Sequence, residues 1–253
     1  MSEAIESLSV ILLTLRKKLV LIAAVLFSGV ALSFQFTGPL IERMKEDLLP
    51  EGAKLVYVTP LEVMMLKLKL SVIIGLLLAL PFIAFYIYRG ISQRFAFRNP
   101  VVVRRSQFVF LSSASLVMFI LGASYAYFIM LPLFLKYLYL NAAGSGISAT
   151  YSVFKFISFA AAGTALFGLI FELPIVLTFL TRNGFVKYET LVTYRKHIYI
   201  IFLFSGAAIT PPDVISQVMV AIPMVIFFEI SMVVVRVLGV KKNNELRATE
   251  DLS

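Results

Sequence analysis

The stretch Phe167-Gly-Leu-Ile-Phe-Glu-Leu-Pro174 sets one carboxylate, Glu172, inside a run from 156 to 181 that has no other charged residue. At 1.5 Å rise per residue, the ten residues to Arg182 put Glu172 roughly 15 Å from the basic end of that run, near the middle of a hydrocarbon core about 30 Å thick. A charge at that depth costs roughly 3 kcal/mol or more, so Glu172 is read as a functional-site candidate facing protein or water. The plainer reading, a protonated acid hydrogen-bonded to a neighbouring helix, stays open beside it. Pro174 deprives the Ile170 carbonyl of its usual N–H partner and predicts a kink.

Outward from that stretch, composition fixes the class. Hydrophobic residues make up 60% of the 253, mean hydropathy is +0.94 and charged residues are 15%, against roughly 25% charged in an ordinary soluble domain. These values describe an all-α polytopic membrane protein, and with no internal repeat or low-complexity linker they are read as one membrane domain, residues 1–253. The chain has no cysteine, which excludes disulfides, thiolate metal sites and a cysteine nucleophile. A net charge of +9 would suit nucleic acid only if its distribution were ignored, and that distribution fits a bilayer instead.

Six spans are expected, at about 19–36, 61–88, 106–131, 156–181, 197–209 and 214–235. The first follows a short amphipathic lead ending Leu15-Arg16-Lys17-Lys18, and without a small-residue cleavage site it is read as uncleaved. Pro39 then opens a pattern with Leu40, Ile41, Met44 and Leu48 on one face and charges on the other, expected to lie on the membrane surface. Lys67 and Lys69 fall in the first turns of the second span, where they either snorkel outward, the commoner case, or face the bundle interior; Pro81 kinks its far end. Gly90, Asn99 and Pro100 are expected to break the basic connection 89–105, and a mostly uncharged, turn-rich loop that carries only Lys136 should follow the third span. The fifth apolar stretch has only 13 residues before Thr210-Pro-Pro-Asp213, roughly 20 Å of helix. It forms with the sixth, which carries Ser216, Gln217, Pro223 and Glu229, a short polar-lined hairpin that thins the bilayer. A polar, disordered tail, 239–253, closes the chain.

Lysine and arginine fix the orientation. Segments 1–18, 89–105, 182–196 and 236–253 hold 16 of them and the alternate loops 37–60, 132–153 and 210–213 hold 4, so both termini are expected in the cytoplasm, in the cell membrane. Catalysis finds no support: His197 has no histidine partner for a metal site, no serine is paired with a base, and Asp213 and Glu172 lie on different segments. Neither cofactor, metal nor nucleic acid is called for.

Tyr194-Arg-Lys, an apolar run, Thr210-Pro-Pro-Asp-Val-Ile-Ser-Gln217, Ala221-Ile-Pro-Met224 and Phe228-Glu229-Ile together resemble the C-terminal signature of the TatC family, the receptor subunit of the twin-arginine protein translocase. Phe167 to Pro174 resembles its fourth-helix motif, and Thr59-Pro-Leu-Glu62 with Lys69, Gly75 and Pro81 its second helix. Gly122, Tyr125 to Phe128 and Pro132 are similar to its third-helix exit. The resemblance runs in order from Pro50 to Arg236. It implies a concave, glove-like bundle of six helices that binds twin-arginine signal peptides of folded precursors at the cytoplasmic face. It further implies an oligomeric complex with single-span TatA/TatB-like partners, driven by the proton-motive force. It puts the acid matching Glu172 in the concavity, with Gln217 as a second intramembrane polar position. Thr59, Pro60, Glu62, Thr210, Pro211, Pro212, Asp213, Ser216 and Glu229 become candidates for the outer loops and partner contacts. A proton-coupled solute or ion carrier is the other class that the buried acids and kinked helices would serve.

Two positions depart from the family pattern. Thr14 stands where a glutamate precedes Leu15-Arg16, with Ile11 in place of a histidine, and Arg104, beside Arg105, stands where another glutamate is usual. In the family those two acids hold the signal peptide's arginines. A hydroxyl and a cation cannot supply the carboxylate forks that guanidinium groups need, so this face should attract a twin-arginine peptide weakly.

Overall fold

The computed structural model describes residues 2–95, 105–144, 149–182, 185–210 and 214–250, with side chains described for 20–80, 113–144, 149–182, 185–210 and 214–238. Nine α-helices and one short π-helical turn account for most of these residues, and five helical stretches are long and apolar enough to cross a membrane. The chain is a multi-pass, all-α membrane protein. Two compact units divide it: one holds 1–47, 55–102 and 151–158, the other 48–54, 103–150 and 159–253.

In the first unit, α1 (Ser2–Leu48) and α2 (Glu62–Phe95) cross with their backbones in close approach, the Val30 side chain of α1 seated over the bare Gly75 of α2. A Cβ on Gly75 would lie 2.8 Å from the Val30 nitrogen, and one on Gly29 would lie 3.2 Å from the Gly75 Cα. Nearby the Ser33 hydroxyl donates across the crossing to the Ser71 carbonyl at 3.2 Å. Small residues let helix backbones approach closely, which is how van der Waals contact is gained where lipid is as apolar as leucine. One expectation fails here. The chain does not break at Pro39, which lies inside α1, so the amphipathic segment continues the first span rather than starting a separate surface helix. Ile41, Met44 and Leu48 are buried as its periodicity requires, while Leu40 is exposed. Likewise α2 runs to Phe95, through the Gly90 expected to break it, while Asn99 and Pro100 lie outside the described residues.

Two three-residue strands, β1 (Lys54–Val56) and β2 (Thr150–Ser152), pair beyond the helix ends. No such pairing follows from the sequence, because three residues show no alternation that could be read.

The second unit holds α3 (Arg105–Tyr125), a π-helical turn at Ala126–Met130 and α4 (Leu131–Gly144). The expected loop from 132 is therefore helix for most of its length. Pro132 has no N–H for the Phe128 carbonyl, and the wider turn before it, closed by the Leu131 N–H on the Ala126 carbonyl, carries the helix past the proline. The fourth span, by contrast, breaks where Pro174 predicts: α5 (Val153–Phe171) stops, Glu172 forms a turn, and α6 (Leu173–Arg182) resumes.

A short α7 (Tyr188–Thr193) precedes α8 (Arg195–Ile209) and α9 (Val214–Glu250). With 15 residues, α8 is about 22 Å long, the short member of the expected hairpin. It packs against α9 where a Cβ on Gly206 would come within 3.2 Å of the Gln217 carbonyl oxygen. The tail expected to be disordered is instead a continuation of α9 to Glu250.

Candidate functional site

Glu172 occupies the turn between α5 and α6. Its N–H bonds back to the Leu169 carbonyl at 3.1 Å, a tightened three-residue step, and its own carbonyl accepts from Ile175 and Val176 at 3.0 Å each. The break thus projects the carboxylate from a point where the helical ladder is interrupted. That carboxylate is half-buried, and Ser115 on α3 donates a hydrogen bond to it.

The helices around Glu172 meet through glycine. A Cβ on Gly122 of α3 would lie 2.5 Å from the Phe167 carbonyl oxygen and 2.7 Å from the Phe171 Cβ, and one on Gly168 would lie 2.8 Å from the Phe119 ring. Tyr125 packs on Phe167, Phe171 and Phe227 with ring centroids 5.6 to 5.8 Å apart. This close-packed aromatic wall makes the neighbourhood of Glu172 apolar on its protein side, so that the Ser115 hydroxyl is a scarce polar group there.

Gln217 is half-buried on α9, where its backbone carbonyl faces Gly206, and the partner recorded for Glu172 is Ser115 rather than Gln217. Ser216 is fully buried. Thr210 is buried and donates its hydroxyl to the Gly206 carbonyl at 2.9 Å, ending α8. Pro211, Pro212 and Asp213 lie outside the described residues, as does Arg104. Thr14, Leu15, Arg16 and Arg105 lie on described helical backbone, and their side chains lie outside the described set.

Two other acids are held firmly. Glu62, which is 9% exposed, accepts the Val58 N–H at 3.1 Å and the Ser152 hydroxyl at 3.0 Å, so it ties the start of α2 to β2 while Thr59 and Pro60 stay exposed. Glu229 on α9 accepts from the Tyr199 hydroxyl of α8 and pairs with Arg195 at 3.4 Å. Sequence reading marked Glu229 but missed both partners. A signal was present: Arg195 and Glu229 stand 17 residues before and after Pro212, the register an antiparallel pair folded at that proline would give.

With this geometry in place, likeness to known proteins decides the family. The description "Sec-independent protein translocase protein (TatC)" matches residues 10–223. The chain belongs to the TatC family. It is 36% identical to TatC of Desulforapulum autotrophicum, over 83% of this chain and 73% of the relative. It is 34% identical to TatC of Aquifex aeolicus, over 92% and 95%. A crystal structure titled as the twin-arginine translocase receptor TatC superposes with a TM-score of 0.74 at 32% identity, covering 89% of this chain and 98% of that one. TatC membership makes the chain a protein-transport component embedded in a membrane alongside other Tat subunits. The TatC family is a translocase receptor family and not one of enzymes or solute carriers.

Proposed function

We propose that the chain is the core receptor of a twin-arginine translocase in the cell membrane, with both termini cytoplasmic. On this reading it binds twin-arginine signal peptides at the cytoplasmic face and recruits single-span TatA/TatB-like partners into an oligomeric complex driven by the proton-motive force. The observation that carries the reading is the likeness to TatC chains from residue 10 to 223, which takes in Glu172 and the start of the last span. The excess of lysine and arginine in 1–18, 89–105, 182–196 and 236–253 supports the orientation, and Glu172 beside the helix break supports a wet contact point for a partner helix.

Purification from the native membrane tests the whole reading: single-span amphipathic partners and a precursor should accompany the protein. Its recovery alone, with solute flux in liposomes, would overturn it. The cysteine-free background allows a separate test of orientation. Single cysteines at Asn99, Ser145, Asn183 and Asn243 should react with an impermeant reagent in intact cells at position 145 only.

Signal-peptide binding is proposed to be weak. Glu3, Glu6 and Glu189 are the only acids of the segments 1–18, 89–105 and 182–196, which hold 12 basic residues, so a peptide bearing two arginines meets net repulsion screened by salt. Photo-crosslinking of a twin-arginine peptide should strengthen several-fold when Thr14→Glu and Arg104→Glu are combined. Strong arginine-selective crosslinking to the unaltered protein would show that other acids, or a partner subunit, hold the arginines.

A further inference from the structure

Within the first unit, a cavity of about 210 Å³ opens between α1, the segment after β1 and the first turns of α2. Its polar lining is Glu42, Tyr57 and Lys67, set against Gly38 and the part-exposed Val63. Gly38 makes the space: a Cβ there would lie 3.9 Å from the Lys67 Nζ, so any larger side chain would fill the volume above the ammonium. Lys67 is half-buried and, among the described residues, its ammonium has no hydrogen-bond or ion-pair partner. Its neighbour Lys69 turns elsewhere, over the Phe154 ring at 5.3 Å.

The other polar groups are already arranged. Lys45 donates to Glu42 Oε1 at 2.9 Å and to Tyr57 Oη at 3.1 Å. Because Tyr57 is an acceptor in that bond, its own O–H remains to be donated. Glu42 keeps Oε2 as an acceptor, since the recorded bond uses Oε1. Lys45 and Glu42 cancel in charge, which leaves the Lys67 ammonium as one uncompensated positive charge beside the Tyr57 O–H donor and one carboxylate oxygen.

We propose that this cavity binds the headgroup of a singly anionic membrane phospholipid whose headgroup bears a hydroxyl, of the phosphatidylglycerol type. The phosphodiester takes the Lys67 ammonium and the Tyr57 hydroxyl, and the headgroup hydroxyl donates to Glu42 Oε2. The charge balances one to one, and the distribution of donors and acceptor matches phosphate at one end and hydroxyl at the other. The lipid, rather than a soluble phosphate ester, is the occupant because the cavity's rim continues into exposed apolar surface at Val63, Met64 and Met65 of α2, where acyl chains lie. This binding site goes beyond the translocase reading and stands whether or not that reading holds.

Native mass spectrometry of the full-length protein released from nanodiscs of equimolar phosphatidylglycerol and phosphatidylcholine tests the site. One phosphatidylglycerol should be retained, preferred about tenfold over phosphatidylcholine, the discrimination expected of a single ion-paired hydrogen bond. Lys67→Met should abolish the preference, Lys67→Arg should keep it, and Lys69→Met, on the same helix outside the cavity, should leave it unchanged. Gly38→Leu provides an independent block that leaves every charge in place and should also release the lipid. Retention by both Lys67→Met and Gly38→Leu would overturn the site, as would equal loss with Lys69→Met. Displacement by millimolar glycerol phosphate would overturn the assignment to a lipid.

Discussion

Glu172 and Glu229 are both carboxylates on apolar helices of one unit, yet their surroundings differ. Glu229 is clamped: the Tyr199 hydroxyl and the Arg195 guanidinium both come to it from α8, and the charge is matched by an opposite charge. Among the described residues Glu172 has a single hydroxyl, Ser115, and it stands where the helix is interrupted. An acid that is matched in sign and held by two partners fixes a helix pair. An acid left with one neutral donor in an apolar wall has spare acceptor capacity, which only water or an incoming polar group can fill.

The comparison breaks or sharpens on substitution. The largest effect is expected at Glu172. Replacing it with alanine should cut export of a twin-arginine precursor by about tenfold or more, the consequence of losing on the order of 1.4 kcal/mol in a limiting step, with the fold intact by protease resistance. Glu172→Gln, which keeps shape and hydrogen bonding but not titration, separates the roles: full activity would mean a neutral hydrogen bond is sufficient. Wild-type export with alanine would erase the contrast, making Glu172 as structural as Glu229.

Glu229→Gln should act in the opposite place. Thermal stability in detergent should fall by an amount corresponding to about 1–3 kcal/mol, because a charge-assisted pair is lost and Arg195 is left half-buried without its counter-ion. Arg195→Met should cost a similar amount, and the double variant should cost less than the sum. Independent, additive losses would mean that the clamp is two unrelated contacts. The smallest effect belongs to Ser115→Ala, expected to change stability by no more than about 1 kcal/mol and to leave export near normal. A collapse of export there would show that the carboxylate depends on its hydroxyl for position.

These two acids also show where sequence reading reaches and where it stops. The run around Glu172 is legible because charge is rare in it, and Pro174 locates the break to within a turn since a missing N–H has one consequence in any helix. Ser115 could not be found the same way: a serine in an apolar helix gives no periodic signal, and its neighbour across the bundle depends on how Gly122 and Gly168 let the helices approach. The hairpin of α8 and α9 was foreseen from the brevity of its first arm, but Tyr199 was passed over because one tyrosine among apolar residues reads as core. Proline and turn-rich composition are weaker guides where helix absorbs them. Pro39 lies within a continuous α1, and a π-turn precedes Pro132, so helix persists where loop or a fresh start was expected. The pairing of β1 with β2 depends on contact between residues nearly a hundred apart, which no local pattern reports.

The crossing of α1 and α2 at Gly29 and Gly75 also has a mechanical side. Arg16 stands 13 residues before Gly29 and Glu42 stands 13 after it, so the two arms of α1 are each about 20 Å long. The close approach, with Val30 over Gly75 and the Ser33–Ser71 hydrogen bond beside it, is a fulcrum midway between those ends. Rocking of a rigid rod through about 10° over such a fulcrum would carry each end by about 3 Å in opposite directions. The N-terminal basic cluster and the rim of the Lys67 cavity are thus the two ends of one unbroken rod, held to α2 near its middle.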